Sequence, residues 1–298
     1  MKLYIDPEAL LKVARANRDT YATAEPFPHI VLDGLFPEEA LDGVLDEFPK
    51  PESEVWTEFQ NYHEEKLVTS GEGNIGIFST FLIYQFNSAP FLTFLEALTG
   101  IEGIIPDPHF ASGGLHQIPR GGKLGIHADG NRNHKLRLDR RVNALIYLNR
   151  DWKDDYGGHL ELWDSAMSRC VKKILPVYNR TVIFSVTDRA YHGHPEPLTC
   201  PEGMTRKSIA LYYYTNGRPP RERHEARATL FIQRPGELVP EGTIFTRESY
   251  TGLKGESSRP GQNAERSAKL APGAKHLIRK VTPPILIDAA KFLLRRRR

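Results

Sequence analysis

Cysteine is nearly absent from this chain: Cys170 and Cys200 are the only two in 298 residues. Two thiols make no disulfide framework, so a reducing compartment is the natural home. Long apolar runs are missing as well, and no stretch reaches the ~20 residues that a membrane-spanning helix needs. The start, Met1 to Asp6, lacks the basic region and apolar run of a secretory signal, and a cytoplasmic location is the expectation. Charge of one sign is missing too, with 40 Lys+Arg against 37 Asp+Glu. What basicity exists lies at the end: residues 259–298 hold 11 Lys/Arg and 2 Asp/Glu, which leaves the preceding residues mildly acidic. No nucleic-acid partner is expected for such a body. Internal repeats are also lacking.

What is present is a helical beginning followed by short strands. Helices are expected at 7–17, from Pro37 to about Phe48, and from Ala89 to Leu98, the last capped by Ser88 and stopped by Gly100. A strand runs through His29–Leu32, and residues 49–78 give no assignable element. Strands are expected at about 112–118, 123–129, 142–149, 159–163, 173–177, 181–187 and 206–215, with one more at Thr229–Ile232. Short strands separated by turn signals fit a mainly β protein with flanking helices and a jelly-roll core. Alternation puts Asn143, Leu145 and Tyr147 on one face. The expected divisions are 1–100, an N-terminal segment packing on the core; 101–217, the barrel; 218–258, an extension; and 259–298, a basic linker with a short helix.

Three residues suggest chemistry. His127 and Asp129 stand two apart, so a strand would point both to one face, and His192 follows 63 residues after Asp129. Two imidazoles and one carboxylate form the facial triad of non-haem Fe(II) sites. An isolated H-x-D is usually an ordinary polar pair, and His194 competes with His192 because an extended segment gives both one parity. Arg206 and Ser208, again two apart, combine a planar guanidinium with a hydroxyl, a pair that suits a carboxylate. The plain alternative for Arg206 is a surface arginine beside Lys207, and for Tyr147 a core aromatic. His159 and Glu161 form a further H-x-E pair, read as facing a pocket or solvent.

From about residue 98 to 217 the chain resembles the 2-oxoglutarate/Fe(II)-dependent oxygenase superfamily, in its prolyl-4-hydroxylase-like branch. The resemblance rests on ordered blocks: Gly113–His116, Gly121–Leu124, His127–Asp129, Asn143–Asn149, Gly157–Leu162, Tyr191–Pro195 and Arg206–Ser208. It implies a double-stranded β-helix with Fe(II) on His127, Asp129 and His192. It also implies 2-oxoglutarate on Arg206, with Tyr147 at a position whose phenol contacts the same co-substrate. His192 is preferred to His194 by this pattern. The implied reaction consumes O₂ and 2-oxoglutarate, hydroxylates a C–H bond of a prolyl, amino-acid or other small-molecule substrate, and releases succinate and CO₂, with L-ascorbate as an optional reductant. The intact Asp129 favours hydroxylation over halogenation. A cupin reading fits worse, because Glu196 follows His194 too closely.

Substrate residues are less sharply marked. The cluster Arg132, Lys135, Arg137, Arg140 and Arg141 suits an anionic substrate through Arg137, against a default reading as a solvated loop. His194 and Trp163 are further substrate-side candidates, Trp163 being equally suited to the core. The competing function is a catalytically inactive barrel that docks through its basic tail. Residues 284–298, apolar and then basic, would give such a protein, or the enzyme, a peripheral membrane or protein contact.

Overall fold

Helix-forming stretches gather at the start of the chain and β-branched, aromatic stretches after it, and the fold keeps that division. A computed structural model describes residues 2–69, 71–110 and 113–243. The expected linker and the short helix with its contact at 284–298 lie outside the described residues. Asp6 opens α1 (Pro7–Ala22) by accepting from the backbone N–H groups of Glu8 and Ala9 at 3.0 and 3.1 Å. β1 (His29–Asp33) and α2 (Glu38–Asp46) follow, with Glu38 and Glu39 in the first turn of α2, where the helix dipole favours them. Next come β2 (Trp56–Gln60), β3 (Glu65–Thr69), α3 (Ile77–Phe86) and α4 (Ala89–Thr99). Gly100 ends α4 at φ 71°, a left-handed conformation that side chains resist.

The remaining strands are β4 (Ile105–Pro106), β5 (Gly114–Pro119), β6 (Leu124–Ala128), β7 (Arg132–Asn133), β8 (Leu138–Tyr147), β9 (Leu160–Trp163), β10 (Cys170–Ile174), β11 (Arg180–Ser185), β12 (His192–His194), β13 (Thr205–Thr215) and β14 (Leu230–Phe231). The larger sheet has the order β1-β11-β8-β13-β5-β3-β2, with β4 on β13 and β7 on β8. The smaller has the order β10-β9-β12-β6-β14. After β8 the chain enters the smaller sheet for the paired strands β9 and β10, then β11, β12 and β13 alternate between the sheets, and every pairing is antiparallel. This is the expected double-stranded β-helix, mainly β with flanking helices.

The helices cover one face of the larger sheet. Val142, Ala144, Ile146, Ile183, Ile209, Leu211 and Tyr213 bury that face against Leu82, Phe86, Phe91, Phe94 and Leu95. Phe91 stands at the centre, with ring centroids 5.3 Å from both Phe86 and Phe94 and 6.0 Å from Tyr213. The Tyr213 hydroxyl donates to the Phe86 carbonyl at 3.1 Å, so the phenol is buried without loss of its hydrogen bond.

Three departures from expectation have local causes. Residues 49–78 contain β2, β3 and the start of α3. The sequence of α3, IFSTFLIYQF, is apolar nearly all round and so shows no helical stripe. α1 continues past residue 17 to Ala22, because polar residues on its exposed side do not stop a helix whose Ala14 and Tyr21 are buried. The strand expected at 173–177 lies earlier, at Cys170–Ile174, because Pro176 cannot donate to a ladder.

One irregularity in β8 matters for the site. Val142 pairs with Tyr213 and Arg140 with Tyr214, so Arg141 is an extra residue opposite no partner on β13. Such a bulge reverses the alternation beyond it. Arg140 therefore turns to the same interior face as Asn143, and its Nε donates to Asn143 Oδ1 at 2.9 Å.

Candidate metal centre

His127 and His192 reach each other because β6 and β12 are neighbours in the smaller sheet, with these two residues directly opposite. Opposed residues in an antiparallel pair share a face, and the two imidazole centroids are 4.4 Å apart. Gly193 permits the approach: a Cβ there would lie 2.6 Å from the Gly125 carbonyl oxygen. Asp129 follows directly after β6. Its Oδ1 lies 3.6 Å from His127 Nε2 and its Oδ2 3.6 Å from His192 Nε2. One ligand atom from each of the three residues falls within 4.8 Å of the others, and all three residues are buried.

The donor chemistry fits a divalent metal. His127 Nδ1 donates to the Gly125 carbonyl and His192 Nδ1 to the Ala190 carbonyl, each at 2.9 Å. Each ring thus carries its proton on Nδ1 and offers the Nε2 lone pair to the cluster, the arrangement that metal-binding histidines use. Burial, with His127 beside it, lowers His192 to about 4, which keeps it neutral at physiological pH. Burial alone would raise the Asp129 carboxyl, yet Arg140 and the imidazoles hold it well below the usual carboxylate range. Neighbouring ligand atoms on a metal with bonds of ~2.1 Å lie ~3 Å apart. The 3.6 Å separations need roughly half an ångström of closure to reach that spacing.

A polar chain holds the carboxylate in place. Asn143 Nδ2 donates to Asp129 Oδ2 at 2.5 Å, and Arg140 Nη2 stands 3.5 Å from the same oxygen. The Arg140 guanidinium in turn lies over the Tyr212 ring, 3.5 Å from its centroid. Strand alternation had placed Asn143 on the interior face. Arg140 escaped that reading because the bulge at Arg141 shifts it there, and no residue type announces the bulge.

Along the same face of β8, four residues from Asn143 and so ~13 Å away, stands Tyr147. Arg206 Nη2 donates to the Tyr147 hydroxyl at 3.2 Å, and Arg206 Nε donates to the Gly158 carbonyl at 2.8 Å. Gly158 has φ +70°, and a Cβ on it would strike Arg206 Cδ at 2.9 Å, so only glycine admits this arginine. Ser208 pairs with Tyr147 across the β8–β13 ladder and is buried. Arg206 is itself buried, with no carboxylate in ion-pair contact among the described residues. Burial pushes the Tyr147 phenol up, against the pull of Arg206. His194 lies at the other end of β12 from His192, buried, with neither ring nitrogen hydrogen-bonded. Burial and then the Arg206 charge lower it well below the usual imidazole range.

The other candidates separate. Arg132, Lys135 and Arg137 are exposed, while Arg140 joins the Asp129 chain and Arg141 is buried elsewhere. Trp163 is buried with Ile126 and Met167, and its Nε1 donates to Glu161 Oε2 at 3.0 Å. Glu161 also meets Lys173 at 2.8 Å, and His159 meets Asp154 at 3.0 Å, so that H-x-E pair is taken up by ordinary partners. Phe231 of β14 lies beside the metal cluster, 5.5 Å from the His127 ring, and stacks on His63 at 4.4 Å. Neither was visible as a site residue from sequence pattern.

Residues 113–214 match the family model of the 2OG-Fe(II) oxygenase superfamily. Mouse prolyl 3-hydroxylase OGFOD1 is 33% identical over 79 residues, which cover 25% of this chain and 14% of that protein's length. Two solved structures share the fold. A Pseudomonas putida prolyl-4-hydroxylase superposes with a TM-score of 0.50 at 16% identity, covering 70% of this chain and 100% of that one. A Trichoplax adhaerens prolyl hydroxylase, in complex with a hypoxia-inducible-factor peptide fragment, gives 0.51 at 20% identity, covering 70% and 90%. Residues 113–214 thus carry a match to the 2OG-Fe(II) oxygenase superfamily, and the fold around them is shared with two prolyl hydroxylase structures.

Proposed function

We propose that this protein is an Fe(II)- and 2-oxoglutarate-dependent hydroxylase of prolyl residues in a peptide. One observation carries the reading: a His–Asp–His cluster with both Nδ1 protons fixed on backbone carbonyls shares an interior with a buried guanidinium that has no carboxylate partner among the described residues. His127, Asp129 and His192 would hold the iron. When bound, iron and 2-oxoglutarate supply the oxidising power, one oxygen of O₂ entering the substrate C–H bond as hydroxyl and the other entering succinate as CO₂ departs.

The chain supplies position and dryness. Arg206, aided by the Tyr147 and Ser208 hydroxyls, would take the far carboxylate of 2-oxoglutarate and so orient its keto acid end toward the histidines. Asn143 and Arg140 fix the carboxylate plane of Asp129. The buried walls restrict water, which strengthens each of these polar contacts. The 79-residue stretch that is 33% identical to mouse prolyl 3-hydroxylase OGFOD1 supports a peptidyl proline as the first substrate class, ahead of free amino acids or other small molecules.

The test is succinate formation by protein given Fe(II), 2-oxoglutarate, ascorbate, air and proline-containing peptides, with mass spectrometry of the peptide. Gain of one oxygen on proline with matching succinate is the expected result. Absence of succinate together with absence of Fe(II)-dependent 2-oxoglutarate binding would overturn the enzyme reading. Succinate without any peptide oxidation would overturn the substrate class alone.

A further inference from the structure

A second cavity, of about 780 Å³, opens beside the ends of α1 and α4 and the end of β13. Four arginines line it, Arg141, Arg218, Arg221 and Arg223, against the carboxylates of Glu102 and Glu222. It owes its strongest charge to the bulge in β8: the extra residue, Arg141, points away from the metal centre and into this cavity. Its size falls within the range of small-molecule pockets.

The polar partners inside are unequal. Arg141, buried, donates through Nη1 to Thr215 Oγ1 at 3.3 Å and through Nη2 to Glu222 Oε2 at 2.9 Å. Among the described residues Arg218 donates to two backbone carbonyls, those of Arg140 and Val186. Carbonyl dipoles satisfy its N–H groups but leave its positive charge whole, and among the described residues no carboxylate stands in ion-pair distance of it. Burial and the nearby Arg141 charge disfavour that cation further. Asp139, Glu222 and Asp188 offset the Arg218 charge from a distance, and Glu222 is the one of them that hydrogen-bonds Arg141. It sits on a single 3-10 turn, Pro220–Glu222, with 36% of its side chain exposed. A carboxylate there can swing outward cheaply, because solvent is adjacent and one turn holds it.

Arg141 from β8 and Arg218 from beyond β13 stand close enough for their charges to repel, and two guanidinium groups from separate segments suit the several oxygens and double charge of a phosphate. Ile101, Val186 and Pro219 give the wall an apolar side, which leaves room for an organic body beside the charged head. We infer that this cavity is a binding site for a phosphate-bearing small molecule, whose phosphoryl oxygens replace the Glu222 carboxylate on Arg141 and take up the charge of Arg218. The site is separate from the metal centre and does not depend on the reaction proposed there.

The experiment is a titration of the full chain with inorganic phosphate, and then with adenosine monophosphate, against sodium chloride of equal ionic strength, read by calorimetry and thermal shift. Phosphate should bind above the chloride control, and the nucleotide more tightly. Arg218→Gln should weaken binding by at least about tenfold, the loss expected for charge-assisted hydrogen bonds. Glu222→Gln should tighten it, because the internal competitor is gone. Arg206→Gln should leave it unchanged. A response equal to chloride would overturn the inference, as would binding that survives Arg218→Gln, since the anion would then be held by another basic surface. Loss on Arg206→Gln would overturn it too, by placing the anion in the other pocket. Glu222→Gln keeps the test decisive if Arg218→Gln fails to fold, because weaker or unaltered binding in that variant contradicts the displacement of Glu222.

Discussion

The two faces of the larger sheet bury their side chains for opposite ends. On the helix side, Phe91, Phe86, Phe94 and Tyr213 fill space with rings, the Tyr213 hydroxyl being satisfied by the Phe86 carbonyl. On the side facing the smaller sheet, Asn143, Tyr147, Arg206 and Ser208 are buried too, together with His127, Asp129 and His192 opposite. One strand, β8, serves both: Val142, Ala144 and Ile146 go to the helices while Asn143 and Tyr147 go to the site. Apolar burial stabilises a fold, whereas buried charge is retained when something must be bound. The comparison teaches that this protein separates stability from chemistry across the thickness of a single sheet.

The sharpest way to break that comparison is Asp129→Ala. It should abolish Fe(II)-dependent succinate formation while the circular dichroism of the protein stays folded; retained turnover would remove Asp129 from the metal. The converse change is Phe91→Ala, expected to cost about 3–5 kcal/mol in urea unfolding through the cavity it leaves. Fe(II) and 2-oxoglutarate affinities of the molecules that remain folded should not move. If they do, the two faces are coupled through β8 rather than separate.

Arg206→Gln is expected to weaken 2-oxoglutarate binding by about 1.5–3 kcal/mol, the range for hydrogen bonds to a charged partner. Calorimetry with Mn(II) in place of iron reads this directly, and an unaltered affinity would place the co-substrate carboxylate elsewhere. The smallest effect belongs to Asn143→Ala. Freed from its amide, Asp129 should bind metal ~10–100-fold less tightly, the usual loss when a group behind a metal ligand is removed. Asn143→Asp would set a second carboxylate against Asp129, and it should be the worse of the two variants. An equal loss in both would mean that Asn143 acts by packing alone.

Much of the fold was legible because its signals are local. Alternation marked β8 and β13, Gly100 marked the end of α4, and the i, i+2 spacings brought His127 with Asp129 and Arg206 with Ser208 onto shared faces. What escaped was non-local or unpatterned. α3 is apolar all round and so carries no period. β2 is an exposed edge strand and β3 lies between it and β5, and both are short and defined more by their partners than by their own residues. Phe231 meets His127, and His63 stacks behind Phe231, only through tertiary folding. The arginine cluster at 132–141 reads as one basic run in sequence, yet it divides three ways in space: a solvated loop, the support of Asp129 and the wall of a second cavity.

That last division follows from one inserted residue. A regular strand has a phase, odd positions to one side and even to the other, and at Arg141 the phase of β8 slips by one. Adjacent residues of any strand face opposite sides, and the slip decides which goes where: Arg140 supports Asp129 and Arg141 lines the second cavity, the reverse of what regular alternation from Asn143 gives. In a relative without the slip, the residue three places before the Asn143 equivalent would face the helices instead of the metal. The polarity of that position thus reports whether the slip is present, and with it whether such a protein can hold its metal carboxylate from two sides.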